Sequence, residues 1–212
     1  MYQWITHTYN TVKGICPINC SYCYMKRFPQ KPIRFDEKEL KTDLGVNNVI
    51  FIGSSCDMFA NSIPEKWISD TIKYTWKFKS NLYFYQSKNP KRFIEFRQKG
   101  LLGDLTRVCT TIETNRHYEG IMSSVHKPDN RSYWLSQYPF NRYLTIEPIL
   151  DFDMKDMIYL IKQCDPVQVN IGADSGNNPL PEPPYEKVKE LIDEISKFTV
   201  VSKKKNLNRL MK

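Results

Sequence analysis

Short apolar runs recur along this chain about every 30 residues, each followed by a stretch with helical spacing, and this alternation limits the fold more than any other feature. The strand candidates are 3–9, 48–52, 82–86, 107–112, 142–146 and 166–171, all rich in β-branched or aromatic residues. Between them, Ser62-Ile63-Pro64-Glu65 is a capping-box pattern with proline in the first turn, and it opens a helix to about residue 79. Asn89-Pro90 opens another, and 153–164 forms a third. Segment 185–198 sets Val188, Leu191, Ile192 and Ile195 on one face, as an amphipathic helix requires. Six such units predict an α/β single domain, a parallel sheet with helices outside it. They are too few to close an eight-stranded barrel, which leaves an open partial barrel or a doubly wound sheet. In both, functional loops follow the C-terminal ends of the strands. The Pro-rich stretch 178–184 reads as the loop before the last helix.

The chain has 212 residues, 41% of them hydrophobic and 13% aromatic, enough for one core and few for two. No apolar run nears the roughly 20 residues of a membrane span. The first residues lack a basic stretch followed by an apolar one, so the expectation is a cytoplasmic protein without a secretory signal or membrane partner. The formal net charge is +8. Much of it sits in a basic tail, Lys203, Lys204, Lys205, Arg209 and Lys212, and on helix-like faces such as Lys88, Lys91, Arg92, Arg97 and Lys99. These read as solvated faces, with an anionic partner such as nucleic acid as the other reading.

Of six cysteines, three fall within eight residues: Cys16-Pro17-Ile18-Asn19-Cys20-Ser21-Tyr22-Cys23. The spacing is C-x3-C-x2-C, on the loop after the first strand. Cys56, Cys109 and Cys164 are scattered through apolar contexts and read as buried core thiols. This pattern opposes a disulfide framework and favours a thiolate-ligated metal. Three thiolates on one loop can hold three irons of a cubane cluster, leaving the fourth iron open to a small-molecule ligand. The alternative is a zinc site, which needs a fourth ligand from afar, such as Cys56 or His7. His7, His117 and His126 share no spacing.

The motif, with Tyr22 just before the third cysteine, resembles that of the radical S-adenosylmethionine (SAM) superfamily. The resemblance implies a partial (β/α)6 radical SAM barrel over 1–200, with 201–212 as the tail. It also implies a [4Fe–4S] cluster on Cys16, Cys20 and Cys23, with the amino and carboxylate groups of SAM on the fourth iron. One-electron cleavage of SAM would then give a 5′-deoxyadenosyl radical, and a reductant such as flavodoxin or ferredoxin would be a partner. Trp4, Thr8 and Asn10, then Phe51 to Phe59, Ile146-Glu147-Pro148 and Ile171 to Gly176, are similar to blocks of small radical SAM proteins that include phage-encoded members. The spore photoproduct lyases are more distant cousins.

Carried over residue by residue, the resemblance assigns Tyr22 to the cofactor site, and Gly53, Ser54 and Ser55 to the SAM amino group, where an acid is usual and absent here. Ser87 and Lys88 fall at the SAM carboxylate, Glu113 at the ribose hydroxyls and Ile171 at a backbone edge for adenine. Asp57, Glu147 and Asp174 also follow strands and together read as a polar substrate site; singly, each is an ordinary cap or ion-pair partner. Cys56 has a hydrogen-atom donor role by analogy with the photoproduct lyases, beside its reading as a structural thiol. No catalytic acid, base or nucleophile stands out.

Three functions stay open. One is a lyase cutting a C–N bond of queuine or a related 7-deazaguanine, a small nucleobase-like substrate, with the chain resembling queuine lyases of queuosine salvage. Another is a radical SAM enzyme of nucleic-acid modification or repair. The last is a non-enzymatic metal-binding nucleic-acid module.

Overall fold

A computed structural model describes residues 2–122 and 126–211. In chain order the strands are β1 (His7–Tyr9), β2 (Val12–Lys13), β3 (Arg34–Phe35), β4 (Val49–Ile52), β5 (Leu82–Gln86), β6 (Arg107–Thr111), β7 (Arg142–Ile146), β8 (Gln168–Ile171) and β9 (Val200–Lys203). The α-helices are α1 (Glu65–Thr75), α2 (Lys91–Gln98), α3 (Pro128–Ser136), α4 (Met154–Cys164) and α5 (Tyr185–Ile195). Seven strands form one parallel sheet in the order β1-β4-β5-β6-β7-β8-β9, and β2 and β3 form a small antiparallel ladder beside it. Strand order follows chain order without a reversal, so the sheet has no switch point of the doubly wound kind. The architecture is the partial barrel, mixed α/β and single-domain.

The seventh strand corrects the six-strand expectation. Val200 pairs with Gln168 and Lys203 with Ile171, so part of segment 201–212, read from sequence as a tail, completes the sheet. A 3-10 helix over Lys205–Met211 follows, and Lys212 lies outside the described residues. Two adjacent valines beside lysines make too short an apolar pattern to announce a strand; pairing with β8 supplies what local sequence lacks. Helix α3 was likewise unforeseen, because its apolar and polar residues do not segregate into faces.

Alternation along the strands divides the core. Ile50, Ile52, Tyr85, Val108, Leu144 and Val169 join the main cluster that includes α1, α4 and α5 residues such as Ile72, Ile161 and Leu191. The intervening residues Phe51, Phe84, Cys109 and Tyr143 form a second cluster with Tyr2, Trp4 and Ile5. Segment 3–9 is therefore a strand only from His7 onward. Before it the chain turns, with Ile5 N donating to Tyr2 O at 3.2 Å, and its aromatics plug the inner face. Trp4 meets Phe84 edge-on at 4.9 Å and lies 5.5 Å from Tyr143, and each such pair contributes about 0.5–1.5 kcal/mol beyond area burial. One step further along the same face the residues turn polar: Gln86, Thr111 and Thr145. Among the described residues, no helix is long and apolar enough to cross a membrane.

Candidate metal and cofactor site

The C-terminal strand ends open onto a cavity of about 580 Å³, floored by Tyr2, Gln86, Thr111 and Thr145. Cys16, Cys20 and Cys23 all line it. Their loop is cinched at its base by β2 and β3. Ile15 N donates to Lys31 O at 3.0 Å, and Lys13 Nζ reaches Asp36 at 2.8 Å and Glu39 at 2.6 Å. Gly14 makes this possible: it sits at φ +111°, and a Cβ there would lie 2.5 Å from Pro32 O.

Two donors already point at the sulfurs. Asp57 N donates to Cys16 Sγ at 3.4 Å, and Lys88 Nζ to Cys20 Sγ at 3.2 Å. Hydrogen bonding from the Cys56 thiol is the main cause that brings Cys16 down to about 7, while Cys56 itself is pushed up, first by its bond to Cys16 and then by burial. Burial pushes the Cys23 thiol up. Three thiols on one cavity, two of them receiving N–H donors, fit the ligand set of an iron–sulfur cluster.

All the residues expected at the site line the cavity except Glu113 and Ile171. Gly53, at φ +77°, turns the chain after β4, and a Cβ there would come within 3.2 Å of Cys56 O. Asn10 holds the following serines: its Nδ2 donates to Ser54 Oγ at 3.1 Å, and its Oδ1 accepts from Ser55 N at 3.1 Å. Ser87 is buried and works as a strut, donating to Asp57 Oδ1 at 2.7 Å and accepting from Asn89 N at 2.9 Å. Asp57 accepts in addition from Phe59 N at 3.0 Å and Lys88 N at 2.8 Å, so it stitches the loop after β4 to the loop after β5. Burial raises its carboxyl despite those bonds.

Glu113 departs most from expectation. It is fully buried, and its carboxylate is taken by Lys88 Nζ at 2.5 Å, by the Tyr22 hydroxyl and by Arg131 Nη2 at 2.9 Å. The Arg131 contact is close but off the hydrogen-bond line, which leaves Glu113 Oε2 and Arg131 Nη2 without a hydrogen bond and makes the contact Coulombic. Burial alone would raise the Glu113 carboxyl; Arg131 and Lys88 override it and hold it well below the usual carboxylate range. Burial likewise opposes the Lys88 cation, yet Glu113 and Cys20 leave it above the ordinary lysine value. In this arrangement Glu113 is an internal counter-ion, not an open acceptor for ribose. Ile171 also differs. Its carbonyl accepts from Lys204 N at 2.8 Å, and Gly172 N donates to Ile146 O at 3.0 Å, so the expected free edge for adenine is spent on the sheet and the unforeseen β9.

Glu147 and Asp174 reach the cavity already partnered. Glu147 pairs with Lys204 and accepts from Asn206 Nδ2 at 2.8 Å. Asp174 accepts from Asn178 N at 2.7 Å and Nδ2 at 2.9 Å. Lys204 also sits 4.4 Å over the Tyr2 ring. Sequence reasoning assigned no role to Arg131 or Asn206 and read Lys204 only as part of a solvated basic tail; no motif marks them, and only the fold brings them here. Asn10 did carry a signal, standing just past the first strand.

No family model and no curated protein matches the sequence. Solved structures do. A cysteine-to-serine mutant of spore photoproduct lyase superposes with a TM-score of 0.64 at 12% identity, covering 92% of this chain and 75% of the other. The chain has the fold of spore photoproduct lyase. A cysteine-to-alanine mutant of that lyase with a dinucleoside spore photoproduct gives 0.63 at 12% identity, covering 90% and 74%. A double mutant with bound AdoMet and the same dinucleoside gives 0.60 at 13% identity, covering 90% and 61%.

Proposed function

We propose that this chain is a radical SAM enzyme, a lyase, whose [4Fe–4S] cluster is held by Cys16, Cys20 and Cys23. The observation that carries the reading is the convergence of these three thiols on one cavity at the C-terminal edge of a parallel sheet. Among the described residues, no three His, Cys, Asp or Glu side chains are grouped to hold a single metal ion. When bound, cluster and SAM would supply, with one electron from an external reductant, the cleavage of SAM to methionine and a 5′-deoxyadenosyl radical. The protein's own share is positional. The Gly53 turn and the Asn10-fixed serines offer a close backbone approach and hydroxyl acceptors for the SAM ammonium. Lys88 offers a cation to its carboxylate, and would have to leave Glu113 or share it. The plugged floor keeps water out from below.

For the substrate, the reading is a nucleic-acid component, modified or repaired at a covalent bond. Its support is the shared fold with a lyase solved with a dinucleoside photoproduct, together with the +8 charge. The 7-deazaguanine reading relied on Asp57, Glu147 and Asp174 as acceptors, and each of these already accepts from protein groups. Anaerobic reconstitution tests the core of the proposal: about four irons per chain, and 5′-deoxyadenosine on reduction with SAM. Cys16→Ala, Cys20→Ala and Cys23→Ala should each abolish both. Zinc in place of iron, with no SAM cleavage, would give the case to the metal-binding module.

A further inference from the structure

The cysteine loop carries more than cysteines. Residues 14–35 contain four cations, Lys26, Arg27, Lys31 and Arg34, and no acid. The same stretch exposes three large apolar side chains: Ile15 at 55%, Tyr24 at 49% and Phe28 at 56%. Of the three, Tyr24 stands at the mouth of the cavity. Tyr24 and Arg27 line it, and a 3-10 helix over Tyr24–Arg27 leads directly into Phe28. Tyr24 is fixed there by its hydroxyl, which donates to Ser54 O at 2.9 Å.

The opposite lip is basic as well. From 196 to 212 the chain has six cations and no acid. Lys203 and Lys205 are exposed, and Lys204 turns into the cavity between them. Arg27 ties the two lips, its Nη2 donating to Ser175 O at 2.6 Å. Of the carboxylates on this side, Glu147 is neutralised by Lys204 and Glu182 by Arg209, while Asp174, on the cavity wall, is held by Asn178 rather than by a cation. The rim therefore presents uncompensated positive charge beside exposed aromatic faces.

We propose that this rim is a docking surface for single-stranded nucleic acid. The inference rests on the reading above that the substrate is a nucleic-acid component, and it narrows that substrate to an unpaired strand. Cations on both lips suit a phosphodiester backbone. Tyr24 and Phe28 suit unstacked bases, whose faces are free only when the strand is unpaired. A rigid duplex hides those faces and gains nothing from the two rings. The rim serves DNA and RNA alike; one arm of the test separates them.

The experiment uses the anaerobic, cluster-loaded protein and fluorescence anisotropy with 12-mers of single-stranded DNA, single-stranded RNA and duplex DNA across a salt series. Formation of 5′-deoxyadenosine without nucleic acid is measured on the same samples, so failure of the radical SAM reading is seen separately. Far-UV circular dichroism checks the folding of each variant. Single strands should bind more tightly than duplex, and the tighter of the DNA and RNA arms identifies the polymer. Phe28→Ala should weaken single-strand binding about 5- to 150-fold with the salt slope unchanged. The Lys26→Ala, Arg27→Ala double variant should lower the log–log salt slope by about 1.4. Lys203→Ala with Lys205→Ala, from the other lip, should do the same. Duplex binding as tight as single-strand binding, or Phe28→Ala without effect, would overturn the proposal. So would failure of single strands to bind, whether or not an acidic flavodoxin binds the rim in their place.

Discussion

The charge cluster behind the cysteine loop allows a sharp stability prediction. Glu113→Gln preserves shape and removes the anion shared by Arg131 and Lys88. The side chains of Glu113 and Arg131 are 0% and 1% exposed, and that of Lys88 is 13% exposed. Removing one partner from a buried ion pair typically costs about 3–5 kcal/mol, because the remaining charge is left uncompensated. Here two cations would be stranded, although Lys88 can move part-way toward the cavity, so a cost of about 4 kcal/mol is expected. For a domain of this size that lowers Tm by about 8–16 °C. Urea unfolding of the cluster-free protein at neutral pH, followed by circular dichroism, measures it, with equal m values required. The same reasoning makes a less obvious demand. Adding Arg131→Met to Glu113→Gln removes one stranded cation, so the double variant should be more stable than Glu113→Gln alone by at least about 1 kcal/mol. It should recover despite losing the 2.6 Å bond from Arg131 Nη1 to Thr111 O. A Glu113→Gln cost below about 1 kcal/mol, or a second mutation that simply adds its own penalty, would refute the reasoning.

Other outcomes follow from the same geometry. Because the folded Glu113 value lies below the unfolded one, its stabilisation is full above the unfolded value of about 4.3 and drains away as pH falls below it. The gap between wild type and Glu113→Gln in urea midpoints should therefore shrink between about pH 5 and pH 3; a gap that widens would be the wrong sign. Gly172→Ala would place a Cβ 2.9 Å from both Glu147 Oε1 and Asn206 Oδ1, and overpacking should cost about 1–3 kcal/mol in thermal unfolding. Asn206→Ala removes an amide NH2 whose two hydrogens are shared among Glu147 Oε1 at 2.8 Å, Ala173 O at 2.6 Å and Ser175 Oγ at 2.9 Å. It should cost about 1–3 kcal/mol and speed amide exchange along β9, and unchanged exchange there would argue that the strand is held by other contacts.

Local pattern determined a good deal about this protein. The cysteine triplet, the βα rhythm and the loops at strand ends are all short-range features, written in runs of apolar residues and in spacings of three or four positions. They were enough to predict a parallel sheet, as an open partial barrel or a doubly wound sheet, with three cysteines on its first loop, and the family resemblance pointed to the partial barrel. Individual roles were not legible. Glu113 looked like an acceptor facing outward, yet Arg131 and Lys88 draw it inward, because a buried carboxylate is stable only beside cations that arrive from other parts of the chain. Ile171 looked like a free edge until Val200–Lys203 paired against its strand. Asp57, Glu147 and Asp174 do share a cavity, but hydrogen bonds from Ser87, Asn206 and Asn178 give them structural duties that no spacing encodes. Backbone periodicity is set by neighbours in sequence, so sequence alone reveals it. The partner of a buried charge or of a strand edge is set by packing between distant segments, and only the folded chain decides it.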